Sequence, residues 1–99
     1  MFDKLIAARQ KAEEMKKRLD NITVVGEVEG GIIKITATAN KEVTEVNIDH
    51  IFLANAEKEE LEELLAVAIN HAMRQADNIS QTEMQGAAKD MLGGLGGFL

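Results

Sequence analysis

Between residues 2 and 20 the apolar positions Leu5, Ala8, Ala12, Met15 and Leu19 recur in alternating steps of three and four. That is the spacing of one face of an α-helix, and the seam is narrow enough for coiled-coil-like packing along another helix. Asp20-Asn21 ends the pattern, because both side chains hydrogen-bond nearby backbone and favour a turn. From Ile22 the period changes to two and β-branched residues take over, in segments 22–29, 32–39 and 42–49. Gly30-Gly31 separates the first two as a two-residue loop able to take the positive φ angles of a tight hairpin, and Asn40-Lys41 separates the second two, with Asn in the left-handed position. The prediction is a three-stranded antiparallel meander.

After a short connection carrying Ile51, Phe52 and Leu53, Asn55 is placed to cap a second helix whose first stretch holds Glu57, Glu59 and Glu60, as the positive end of a helix dipole favours. Leu61, Leu64, Leu65, Ala68, Ala72, Ala76 and Ile79 then form one stripe at helical spacing, and no strong breaker appears before Gly86. A helix over 56–90 spans ~50 Å, whereas the first helix spans only ~28 Å and cannot cover it. The strands also read as apolar on both faces, since Ile32 and Ile33, Val24 and Val25, and Val43 and Val46 alternate in side. The uncovered half of the long helix must protrude, bend or be buried by a partner chain, and the strands suggest that helices cover one face of the sheet while part of the other, or an edge, meets a second subunit; the expectation is an obligate dimer. Residues 1–91 are expected to form a single domain and the glycine-rich residues 92–99 a flexible tail. The fold class is α+β, in the order α-β-β-β-α with a long C-terminal helix.

Composition narrows the function. The chain of 99 residues has three aromatics, all Phe, and no Cys, so it offers neither base-stacking platforms nor disulfides, thiolate nucleophiles or thiolate metal sites. No segment is long and apolar enough to span a membrane or serve as an export signal, and the expected location is the cytoplasm. The net charge is −6, but it is unevenly placed: six cations stand against four carboxylates in residues 1–20, a balance of +2, leaving −8 on the other 79 residues. On a helical projection Lys4, Lys11 and Arg18 flank one side of the first apolar seam and Arg9 and Lys16 the other, with Asp3, Glu13 and Glu14 opposite. Glu13 to Lys17 and Glu14 to Arg18 are favourable i,i+4 pairs, which leaves Lys4, Arg9 and Lys11 least accounted for.

No catalytic constellation assembles. Asp49-His50 reads as the turn at a strand end, since adjacent strand residues point to opposite faces. His71 lacks the Glu-x-x-His spacing of carboxylate-bridged metal sites because residue 68 is Ala. The Glu59-Glu60 and Glu62-Glu63 pairs read as solvated, dipole-stabilised carboxylates rather than a metal site, and Gly30-Gly31 lacks the lysine and following helix of a phosphate loop.

The ordered set of segments resembles the YbaB/EbfC family of small bacterial nucleoid-associated, DNA-binding proteins. The resemblance is carried by the charged opening helix with Met15, by Gly31-Ile-Ile-Lys-Ile-Thr36, by Glu42-Val-Thr-Glu-Val-Asn-Ile-Asp49, by Leu61 through Ala76, and by the Gly93-Gly94 and Gly96-Gly97 tail. It implies an intertwined, tweezer-like homodimer whose helices project as arms and hold double-stranded DNA in the nucleoid, with no catalysis, cofactor, metal or small-molecule substrate. The chain departs from the family pattern at Ala39-Asn40-Lys41, where the family is glycine-rich, and in its long helix. Residues 56–90 carry eight acids against Lys58, Arg74 and Lys89, so DNA contact is expected to be local rather than along the whole helix. If the two helices of an arm run antiparallel, Lys4, Arg9 and Lys11 approach Lys89 at its tip. The candidate DNA-binding residues are therefore Lys4, Arg9, Lys11, Lys16 and Lys89. The alternative is a structural or adaptor dimer that binds another protein and not DNA.

Overall fold

The computed structural model describes residues 2–95, with side chains over 3–89. Helix α1 (Phe2–Asp20) leads into strands β1 (Thr23–Val28), β2 (Ile33–Thr38) and β3 (Val43–Ile48), then a short helix α2 (His50–Asn55) and a long helix α3 (Lys58–Leu95). The strands form one antiparallel sheet in the order β1-β2-β3, so the expected α-β-β-β-α meander is the fold, with α2 added. The molecule measures 63 × 27 × 18 Å, its length set by α3, which spans ~57 Å at 1.5 Å per residue.

The core lies between α3 and two of the three strands. Val24 and Val28 of β1 and Ile33, Ile35 and Ala37 of β2 point to the helix, where Ala68, Ala72 and Ala76 are fully buried. Burial of Ile33 and Ile35 alone contributes about 1.5–3 kcal/mol each. What lets the layers close is Gly26, also on this face. A Cβ there would lie 2.3 Å from the Ala68 carbonyl oxygen and 2.4 Å from the Ala72 nitrogen, so helix and strand meet backbone to backbone.

Several local expectations are corrected. The β1–β2 connection is not a two-residue loop: Val28 and Ile33 are the last paired residues, and Glu29–Gly31 form a 3-10 turn in which Glu29, Gly30 and Gly31 all have positive φ, 45°, 70° and 91°. The Ile32 N–H donates to the Val28 carbonyl at 3.1 Å to close it. At the second turn the left-handed residue is Lys41 (φ 67°) rather than Asn40, whose side chain is engaged elsewhere. Val43 and Val46 lie on the same face, because the register shifts between Thr36 and Ala37. Ile35 pairs with Val46 but Ala37 pairs with Val43, leaving Thr44 as the extra residue of a bulge. The opposite face, with Thr23, Glu27, Lys34, Glu45 and Asn47, is polar apart from Val25, so the sheet is less two-sided than its alternation suggested.

Asn55 does not cap the long helix; it ends α2, its amide donating to the Ile51 carbonyl at 2.8 Å. The capping residue is Asp49, whose carboxylate accepts from the Phe52 N–H at 2.9 Å and starts α2. Six residues are too few for an apolar period to show. Helix α3 passes through Gly86 and continues to Leu95, so its backbone extends into the segment where the glycine-rich tail was expected to begin; residues 96–99 lie outside the described residues. Nor does the α1 seam pack along another helix of the same chain: Leu19 is buried and Met15 half-buried, but Leu5 and Ile6 are 65% and 54% exposed.

The close approach at Gly26 generates a sharp expectation. Gly26→Ala should destabilise by about 1–3 kcal/mol and Gly26→Val by more, because backbone rather than a flexible side chain must give way. At this chain length each kcal/mol lowers the melting temperature by about 4–8 °C, which calorimetry reads directly.

Candidate nucleic-acid interface

Helix α1 is attached to the rest of the molecule at its C-terminal end. The Asn40 amide, from the β2–β3 turn, donates to the Lys16 carbonyl at 2.9 Å and to Asp20 Oδ1 at 2.6 Å. The Ala39 N–H donates to the Leu19 carbonyl at 3.2 Å, and Leu19 is buried beside them. Arg18 Nη1 meets Glu83 Oε2 of α3 at 2.9 Å. Arg18 is thus engaged across to α3 rather than with Glu14, and the expected Glu13–Lys17 pair is not formed within 4.0 Å. Residues 3–14 are exposed throughout. The first helix therefore leaves its anchor as a solvated rod.

That rod carries the candidate cations. Lys4, Arg9, Lys11 and Lys16 are all exposed on α1, spread over ~18 Å, and Lys89 is exposed on α3, six residues beyond the Glu83 anchor. Among the described residues none of these five makes an ion pair. The four on α1 share one helix, and the Arg18–Glu83 pair is what links that helix to the one bearing Lys89.

Helix α3 presents its acids differently from the plain charge balance. Glu59, Glu60, Glu62 and Glu63 are confined to the beginning of the helix, where Lys58 and Glu62 pair at 3.1 Å. Over residues 64–89 only Asp77 and Glu83 are acidic, and both are engaged, with Lys41 and Arg18. A groove of about 500 Å³ opens between the free edge of β1 and this part of α3, lined by Val25, Gly26 and Glu27 on the strand and His71, Arg74, Gln75 and Asn78 on the helix. His71 Nδ1 lies 3.0 Å from the Glu27 carbonyl oxygen, across the strand edge. Residues 71, 74, 75 and 78 have the spacing of one helical flank, but no local pattern connects that flank with the edge of β1. His50, the other histidine, is exposed at the first position of α2. Among the described residues no cluster of His, Asp or Glu suits a metal ion, and no helix is long and apolar enough to cross a membrane.

The comparisons with known proteins bear on what such exposed cations meet. The model of the YbaB/EbfC DNA-binding family matches residues 1–91. The chain belongs to that family. A nucleoid-associated protein of Flavobacterium johnsoniae is 36% identical over 90% of this chain and 82% of its own length. One from Rickettsia bellii is 39% identical over 84% of this chain and 78% of its own. Among solved structures, the uncharacterized protein HP0035 from Helicobacter pylori superposes with a TM-score of 0.69 over 89% of this chain and 88% of that one; at 17% identity it speaks for the fold alone. The α+β meander with a long terminal helix is thus a framework shared with that structure.

The attachment of α1 has a measurable signature. Asn40→Ala removes two hydrogen bonds between the sheet and α1 and should cost about 1–2 kcal/mol. Amide hydrogen exchange should accelerate in α1 and the β2–β3 turn while β1, β2 and α3 keep their protection.

Proposed function

We propose that this chain is a non-catalytic, nucleoid-associated DNA-binding protein of the bacterial cytoplasm, which acts as a homodimer and holds duplex DNA by its phosphates through the helical arms. The observation that carries the reading is the set of exposed cations on α1, Lys4, Arg9, Lys11 and Lys16, which have no ion-pair partner among the described residues of a chain whose family is DNA-binding. Lys89 extends the set onto α3. Cations on long, solvated stems meet phosphates rather than base edges, so binding of this kind follows the form of the duplex more than its sequence.

The dimer is supported by the apolar surface left open on one chain. Helix α3 covers β1 and β2 but leaves β3, so Val43 and Val46, which face the helix side, are 40% and 48% exposed. Ile51 and Leu53 of α2 and Val67 of α3 are exposed as well. A monomer does not keep such a surface in water without cost, and a second copy would cover it. The protein should therefore scatter light as a dimer at micromolar concentration, and a stably folded monomer would contradict the reading.

Changing Lys4, Arg9 and Lys11 together to Glu should abolish the shift of a labelled duplex at low salt while leaving the dimer intact, because these side chains are exposed. For the unaltered protein, three phosphate contacts per subunit give a slope near −5 in log affinity against log salt, at about −0.9 per contact. A dimer that gives no shift at low ionic strength would favour the adaptor reading, in which the arms bind another protein.

A further inference from the structure

Strand β1 is an edge of the sheet, and the parity of its hydrogen bonds shows which of its groups face outward. In an antiparallel pair alternate residues turn their N–H and C=O to the partner strand, and the others turn them away. The Ala39 N–H donates to the Ile22 carbonyl at 3.0 Å, which puts Ile22, and by alternation Val24, Gly26 and Val28, in the inward set. Thr38 turns to the other side and donates to the Glu42 carbonyl at 2.8 Å, so Thr23 opposite it faces outward, and Val25 and Glu27 follow. The bond from His71 Nδ1 to the Glu27 carbonyl at 3.0 Å agrees, because α3 reaches that carbonyl from beside the strand. Among the described residues it is the single partner on this edge: the N–H groups of Thr23, Val25 and Glu27 and the carbonyls of Thr23 and Val25 have none. Exposed edges are commonly blunted by a proline, a bulge or a row of charges. The β1–β2 pairing runs from Thr23 to Val28 without a register shift, the strand has no proline, and Glu27 is its one charged residue. The edge opens instead into the groove of about 500 Å³ whose far wall is α3, with Arg74, Gln75 and Asn78 exposed on it.

We infer that the β1 edge is a docking site for an extended segment of another protein, which adds to the sheet as a further strand beside Thr23, Val25 and Glu27 and sets one carboxylate side chain against Arg74. Donors and acceptors alternating along the edge match a polypeptide backbone, whereas the outward carbonyls of Thr23 and Val25 oppose a phosphate chain. Side chains of an added strand alternate between the groove and the outer face of the sheet. On the groove side they meet Arg74, which has no ion pair among the described residues, while the groove's single carboxylate, Glu27, lies 4.0 Å from Lys34. On the outer face they lie beside Thr23 and Val25, where β-branched residues pair well. The net charge of −6 opposes a strongly acidic partner, so the complementarity is to one carboxylate in an otherwise neutral segment. The site is at the opposite edge of the sheet from β3 and stands independently of the DNA-binding reading.

Amide exchange in the full chain, with a capped seven-residue peptide of threonine and valine carrying one central glutamate, tests the site. The outward amides of Thr23, Val25 and Glu27, which exchange fast in the free protein, should slow at least tenfold at saturating peptide. Replacing the peptide's glutamate by glutamine should weaken binding at least tenfold, and Arg74→Glu should turn the preference to the lysine counterpart of the peptide. Val25→Pro removes an N–H that the fold does not use and should abolish binding with the melting temperature and oligomeric mass retained. Arg74→Glu, at an exposed helix position, keeps the test decisive if the proline variant does not fold. No slowing at the three outward amides, or slowing on β3 and α2 instead, would overturn the site. Equal binding of the glutamate and glutamine peptides would overturn the role of Arg74. Slow exchange at the same three amides without peptide, rising with protein concentration together with the oligomeric mass, would make a second copy of the chain the occupant and overturn the inference.

Discussion

Helix α3 crosses β1 with no side chain of the strand between them at Gly26, where a single added carbon would strike the Ala68 carbonyl and the Ala72 amide. Everything that follows in the molecule depends on this approach. It requires small residues on the helix, which Ala68, Ala72 and Ala76 provide, and it draws the helix over β1 and β2 so that Val28, Ile33 and Ile35 are sealed beneath it. A helix held so tightly over one side of a three-stranded sheet cannot also cover the other side. The open face on β3 is the consequence, with Val43 and Val46 left exposed. Beyond the sheet, α3 meets the end of α1 at the Arg18–Glu83 pair.

Charge is sorted by the same geometry. Acids cluster at the start of α3, and over residues 64–89 the two that follow, Asp77 and Glu83, are engaged in internal ion pairs that tie the β2–β3 turn and α1 to the helix. The cations Lys4, Arg9, Lys11 and Lys16 of α1 face water without an ion-pair partner among the described residues. Net charge thus misleads about this protein. A polyanion approaching the arms meets a surface of different sign from the chain as a whole, and over a Debye length of about 8 Å at physiological salt the near charges govern.

Much of this was legible in the sequence, for reasons that can be named. Helix α1 and strands β1 and β2 announce themselves because each keeps one period over six or more residues, 3.6 along Leu5–Leu19 and 2 along Thr23–Val28. The alanine stripe of α3 was visible for the same reason, but its partner was not: a lone glycine within a strand signals close approach without saying to what. The bulge at Thr44 left no mark, since it arises from how Ala37 and Val43 pair across the sheet. The Arg18–Glu83 contact joins residues 65 apart and the Asn40–Asp20 contact residues 20 apart, beyond the reach of any local pattern. Among the candidate site residues, the cations of α1 could be found by projection on a helix. The groove beside β1 could not, since it joins strand and helix residues far apart in the chain.

The central claim of the proposed function is that DNA lies along the helical arms, at the cations of α1 and Lys89 of α3, and away from the sheet and the open apolar face. Titration of duplex DNA into the isotopically labelled dimer, followed amide by amide by NMR at low salt, tests it most directly. The account predicts shifts concentrated at residues 4–16 and around Lys89, with Thr44, Asn47 and the residues of α2 unmoved. Shifts centred on the outer face of the sheet or on β3, with the arms silent, would contradict it.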